Sequence, residues 1–237
     1  MLGQRFEFRP VATMVTMALL ALLLWLGTWQ LTRAGEKRVE LAAFDRTEAA
    51  QPWRDLNQPP ARYSNVSVLG DYLPERQVLM EGLTHQGKPG VQVLTPLRVA
   101  SGDLVMINRG WAPMFGTRAV PVAPDTPSGT VTVRGRVRNF AEPGMRLGDG
   151  NGSIAKTWPR LAIYPSAAEI SDWLDEPVAA RLILLDADQN DGFVRDWRPD
   201  TLPPSRHVGY AVQWYGLALA LIVLFLLASR KSTAETK

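Results

Sequence analysis

His207 stands immediately before a run, Val208 to Ser229, that carries no charge. It is followed by Tyr210, Ala211 and Trp214, which on a helix share its stripe at i+3, i+4 and i+7. Imidazole is a common axial ligand for haem iron, and apolar and aromatic neighbours suit a porphyrin face. The same residues also fit a plainer reading, a polar side chain closing a lipid–water boundary. A second stripe lies near the end of an earlier charge-free run, Pro10 to Thr32, where Trp25 and Trp29 are four apart with Gln30 and Arg33 just beyond. An aromatic belt needs no ligand. Two glutamines and an arginine at the same depth do call for partners, because polar groups there are seldom left alone. The expectation is that Trp29, Gln30, Arg33, His207, Tyr210, Gln213 and Trp214 gather at one mouth.

Two further groups of residues carry charge in a pattern. Asn108-Arg109-Gly110-Trp111-Ala112-Pro113 follows the apolar run Leu104-Val105-Met106-Ile107, so Arg109 is expected where a strand ends. Its guanidinium could fork onto a carboxylate, either a porphyrin propionate or an internal aspartate. Arg134, Arg136 and Arg138 alternate opposite Val133 and Val137 and so share one face of a strand. That face could meet lipid phosphates or an acidic partner, or pair with neighbouring carboxylates.

Enzyme signatures fail one by one. Ser153-Ile154-Ala155-Lys156 has the Ser-x-x-Lys spacing without its companion motifs. Asp186 to Gly192 resembles a calcium loop, but its glycine comes one place late and Trp197 stands where a bidentate glutamate belongs. Gly148-Asp149-Gly150-Asn151-Gly152 has no strand–helix unit around it to make a phosphate cradle. The chain is therefore expected not to be an enzyme. With no cysteine, it has no disulfide framework, thiol nucleophile or Cys-based copper relay. With only His85 and His207, a multi-histidine metal site within one chain is excluded.

These residues must be positioned by two membrane-crossing helices and whatever lies between them. Each charge-free run exceeds the roughly 20 residues needed to cross a hydrocarbon core of about 30 Å. The net charge of +3 belongs wholly to the tails, Arg5, Arg9, Arg230, Lys231 and Lys237 against Glu7 and Glu235. Basic tails place both ends in the cytoplasm and the long segment between the spans outside. That segment is neutral, which argues against a nucleic-acid partner. The first span lacks a small-x-small site and reads as an uncleaved anchor.

The expected organisation is a cytoplasmic tail 1–9, a span 10–32, an extracytoplasmic domain 33–206, a span 207–229 and a tail 230–237. Residues 33–50 read as a helical continuation stopped by Pro52. Two-fold alternation predicts strands over 62–69, 76–83, 91–99, 103–109, 130–140 and 180–186, with a hairpin turn at Ser101-Gly102. Ser166-Ala167-Ala168-Glu169 is a capping-box sequence that starts a short helix carrying Ile170, Trp173 and Leu174 on one face. Loops 112–129 and 141–153 hold most of the Pro and Gly and are candidate functional loops. The predicted fold class is α+β: two transmembrane helices flanking an antiparallel, β-rich, barrel-like extracytoplasmic domain with one helix.

Gly27-Thr28-Trp29-Gln30-Leu31-Thr32-Arg33 resembles the entry motif of the Surfeit locus protein 1 family. So do Thr95-Pro96-Leu97, the strand running into Asn108 to Pro113, and the ending His207-Val208-Gly209-Tyr210-Ala211-Val212-Gln213-Trp214-Tyr215-Gly216. Order, spacing and the two-span layout agree over nearly the whole chain. The resemblance implies an assembly factor for haem–copper cytochrome oxidase in the bacterial plasma membrane, one that holds haem a for insertion into the catalytic subunit. It implies His207 as the haem-iron ligand, with oxidase subunits, haem a synthase and membrane lipid as partners. A second copy of the chain is a further candidate partner. The other function the residues allow is a cofactor-free scaffold that grips an oxidase subunit through the Arg134 face or the 112–129 loop. Around 150–165 the chain departs from the family's acidic–aromatic pattern and reads Lys156-Thr157-Trp158-Pro159-Arg160-Leu161.

Overall fold

The computed structural model describes residues 8–46, 48–119, 122–140, 157–199 and 202–230. Ser153 to Lys156, Gly148 to Gly152 and the 141–153 loop lie outside them. The chain divides into two compact units, one holding the ends up to Asp45 and from Pro199, the other Arg46–Arg198. These divisions fall at 45/46 and 198/199, whereas the sequence suggested 32/33 and 206/207.

The first unit is a helical hairpin of α1 (Pro10–Asp45) and α3 (Pro204–Ala228). Both are long and apolar enough to cross a membrane. At 1.5 Å per residue α1 is about 54 Å long and α3 about 38 Å, so α1 outruns the bilayer core. The polar run from Arg33 to Asp45 is thus a continuation of the same helix, tied by Arg33–Glu36 and Lys37–Glu40 pairs at 2.8 Å each. The helices are antiparallel: Phe8 stacks on Phe225 at one end, and Gln30 meets His207 toward the other. Apolar burial gives no attraction between helices in lipid, so close backbone approach over small residues must supply it. Apart from Phe44 near the far end of α1, the buried positions are small, Gly27 and Ala34 on α1 with Ala211 and Ala218 on α3.

The second unit is a closed barrel with three added strands. β2 (Asn65–Tyr72), β6 (Thr130–Asn139), β8 (Arg181–Leu185), β5 (Leu104–Pro113) and β4 (Lys88–Val99) run in that order around it. The ring closes where Gly70 to Tyr72 of β2 pair with Val99 to Leu97 of β4. Gly70 sits there because a Cβ would collide with the carbonyl of Arg98. β1 (Gln51–Pro52) pairs with β2, while β3 (Val78–His85) and β7 (Arg160–Ala162) extend the sheet beyond β4.

The barrel is mixed rather than antiparallel throughout, because β5 and β8 run parallel, Ile107 opposite Ile183. Their sequences show why. Val105, Ile107, Ile183 and Leu185 fill the barrel interior, while the intervening Met106, Leu182 and Leu184 pack on the outer face beneath Ile170 of α2 (Ala167–Leu174). Strands covered on both sides lose the polar alternation. Helix α2 begins as its sequence signal predicts, with Ser166 accepting from the Glu169 N–H and the Glu169 side chain accepting from Ser166 N–H. The turn at Ser101-Gly102 joins β4 to β5, with Gly102 at φ +92°.

Candidate functional site

Within the helical hairpin the structure brings two of the expected site residues into direct contact. His207 Nδ1 lies 2.9 Å from Gln30 Oε1. A carboxamide oxygen can only accept, so Nδ1–H donates to it and the proton of a neutral ring is held there. The other nitrogen then carries a lone pair. That Nε2 is buried, and among the described residues it has no hydrogen-bond partner. A shielded, unpaired acceptor on an imidazole whose tautomer is set by a second residue is how a histidine ligand to a metal is prepared. A neutral imidazole nitrogen is a donor of the kind that haem iron takes.

The contact is held by a second one deeper in the hairpin. Thr28 Oγ1 and the Tyr215 hydroxyl are 3.1 Å apart. Thr28 also donates to the Leu24 carbonyl at 2.9 Å, so its hydroxyl accepts from Tyr215. One turn of geometry makes this possible: Gly27 lies against the Tyr215 ring, where a Cβ would come within 2.8 Å of ring carbons. Neither Tyr215 nor Gly27 was singled out as a site residue. The signal available was a glycine beside a threonine inside a span, a composition typical of close helix pairs.

The remaining candidates of this unit are arranged less closely. Tyr210 (47% exposed) and Trp29 (43% exposed) lie on the helix surfaces, as does Trp25, while Trp214 is half-buried. Arg33 pairs with Glu36 and sits 5.7 Å from the Trp29 ring. Exposed tryptophans on a helix long and apolar enough to cross a membrane have the composition of an aromatic belt.

Arg109 belongs to the β-rich unit, and of its two expected partners the structure supplies the internal aspartate. Its guanidinium, 3% exposed, meets Asp191 at 2.5 Å and donates to the Asp125 carbonyl at 2.8 Å and Thr126 Oγ1 at 3.2 Å. Tyr72 and Phe193 flank it, 5.5 and 5.2 Å from its carbon. Burial, and then Asp191, push the Tyr72 phenol far above its ordinary range, so it stays protonated. Gln77 donates to the Pro124 carbonyl and to Thr126, so Arg109 and Gln77 together fasten the 124–126 segment to the barrel. The loop that resembled a calcium site spends two of its three carboxylates on arginines, Asp191 on Arg109 and Asp188 on Arg134 at 2.9 Å. Arg136 donates to Asn65 Oδ1 at 3.3 Å. Burial lowers the pKa of Arg138.

The sequence relationships extend across these residues. A model of the SURF1 family matches residues 17–219. A SURF1-like protein of Monosiga brevicollis is 25% identical over 225 residues, covering 87% of this chain and 83% of that one. A SURF1-like protein of Rickettsia felis is 23% identical, covering 92% and 96%. An uncharacterized SURF1-like protein of Mycobacterium bovis is 27% identical over 71% of this chain and 60% of its own length.

Proposed function

Because the chain belongs to the SURF1 family, we propose that it is a membrane-anchored assembly factor for haem–copper cytochrome oxidase that holds haem a through His207. The observation that carries this reading is the unpaired, shielded Nε2 of His207, with Nδ1–H donating to Gln30. His207 would hold the iron, Gln30 would keep the lone pair on the ligating nitrogen, and Thr28–Tyr215 would fix the spacing of the two helices that carry them. Tyr210 and Trp214, one and two turns along the same stripe, would offer ring surface to a porphyrin. Arg33 would exchange Glu36 for a propionate. Haem a, when bound, supplies the redox iron that the oxidase needs.

The expected topology follows from charge. Basic tails would stay in the cytoplasm, and the neutral β-rich unit would lie outside. A holding site between two spans leaves an isoprenoid tail in the bilayer, where each CH₂ buried is worth about 0.8 kcal/mol. A hold through one side chain suits transfer rather than storage. In this reading these residues would hold a cofactor rather than make or break a substrate bond, the role of a carrier.

The test is complementation. In cells lacking this chain, the wild type is expected to restore the haem a content of the oxidase, and His207→Ala is expected to leave subunits present but haem-poor. Equal haem content in both strains would end the haem-holding part of the proposal. An oxidase subunit that co-purifies undiminished when haem synthesis is blocked would favour the cofactor-free scaffold.

A further inference from the structure

A second site, independent of His207 and within the β-rich unit, is built from residues far apart in sequence. Arg76 ends the short 3-10 turn Pro74–Arg76, Arg160 begins β7, Trp158 precedes β7 and Trp173 lies on α2. β7 pairs parallel to β3 with Arg160 opposite Val78, which places Arg160 beside the 3-10 turn. The Arg76 and Arg160 guanidinium carbons each lie 5.3 Å from the centre of the Trp158 ring, and Arg160 is also 5.1 Å from that of Trp173. Two like charges therefore share one indole.

The cluster lacks an acceptor among the described residues. Among the described residues neither guanidinium has a carboxylate within ion-pair distance, and neither Trp158 nor Trp173 donates its indole N–H. Arg160 Nε is shielded from solvent and has no acceptor among the described residues. The nearby Glu176 is already taken, both of its oxygens accepting from Arg98 at 2.7 and 2.9 Å. Arginine and tryptophan side chains only donate. Burial, and then the neighbouring Arg76, lower the Arg160 pKa, the sign expected of a cation short of compensation.

We infer that Arg76, Arg160, Trp158 and Trp173 form a docking site for an acidic segment of a protein partner, whose Asp or Glu carboxylates are received by the two guanidiniums over the indole faces. The fork of a guanidinium matches a carboxylate, and arginine beside tryptophan is the usual composition of an interface anchor. A membrane surface is the poorer match. Lipid-binding patches collect 4–8 basic residues by about the usual count, whereas this one has two, and its rings are half-buried rather than projecting.

The test uses the full chain in mild detergent and a dye-labelled hexaglutamate peptide read by fluorescence anisotropy at low salt, with hexaglutamine as control. Arg76→Gln/Arg160→Gln is expected to weaken hexaglutamate binding by about ten-fold or more, the effect of losing charge-assisted hydrogen bonds. Arg54→Gln/Arg198→Gln, the same charge change at exposed arginines elsewhere, is expected to leave it as in the wild type. Arg76→Glu/Arg160→Glu is expected to bind hexalysine instead, a gain that a misfolded chain cannot show. Equal loss in both glutamine pairs, no loss in either, or no gain of hexalysine binding overturns the proposal. So does a dependence on Arg76 and Arg160 found with vesicles of anionic lipid or with inorganic phosphate but not with the peptide.

Discussion

Replacing Gln30 with leucine keeps the bulk and helix preference of the side chain but removes the oxygen that receives His207 Nδ1–H at 2.9 Å. The proton is then free to move to Nε2, where it blocks the lone pair needed for a metal. Hydrogen-bond partners of a ligating histidine are worth about 10–100-fold in metal affinity, or about 1.4–2.7 kcal/mol. Hydrogen bonds between membrane helices average about 0.6 kcal/mol and reach about 1.7 kcal/mol. The ranges overlap near ten-fold, so Gln30→Leu is expected to weaken haemin binding by about that factor. The assay is absorbance titration of detergent-purified protein with haemin, together with 15N NMR of labelled histidine. Only His85 and His207 contribute signals, and His85→Asn leaves one imidazole to read. The wild type should show the proton on Nδ1, Gln30→Leu a shift toward Nε2, and Gln30→Glu, which keeps an acceptor, should recover both tautomer and affinity. Unchanged haemin affinity in Gln30→Leu, or a wild-type ring protonated on Nε2, would refute the reasoning.

Other positions give independent checks. Gly27→Leu pushes against the Tyr215 ring, already 2.8 Å from where a Cβ would stand, and is expected to part the helices and abolish the Gln30–His207 contact; cysteine cross-linking between α1 and α3 should fall, at an overpacking cost of about 1–3 kcal/mol. Arg109→Met strands Asp191 in a largely buried setting and should cost about 3–5 kcal/mol in urea unfolding, with Arg109→Met/Asp191→Leu recovering most of it. The Arg98 fork holds the Glu176 carboxyl below its ordinary value. Its contribution to stability is therefore present above the ordinary glutamate pKa and is lost as pH falls through the lowered one. Glu176→Gln should flatten that part of the acid limb in a thermal-stability profile, and an unchanged limb would show the pair to be inert.

Much of this arrangement is legible in the sequence because it rests on short-range periodicity. The two spans, the stripe of His207, Tyr210 and Trp214, the Ser166 cap and the Ser101-Gly102 turn are all local signals. The pairing of Gln30 with His207 is different: the stripes show that both face one interface, but which residues touch depends on a crossing point set by Gly27 and Tyr215. The parallel β5–β8 pair was hidden for a related reason, since strands buried on both faces read as plain apolar runs. The turn at Gln86-Gly87 was missed because both residues take positive φ in a polar stretch with no flanking alternation. Arg109 is expected at a strand end, but β5 runs on through it to Pro113, and the sequence offers no way to choose Asp191 as its carboxylate. The Arg76–Arg160 cluster was invisible for want of any local pattern, its members being drawn from a turn, a three-residue strand and a helix.

The most direct measurement is the pigment itself. The chain is expressed in a host that makes haem a, purified in mild detergent, and its absorption spectrum recorded for the wild type and for His207→Ala. A wild type that carries haem a beside a variant that is colourless, or that shows an altered axial-ligand band, is the predicted result. The same haem content and the same spectrum in both proteins would contradict it.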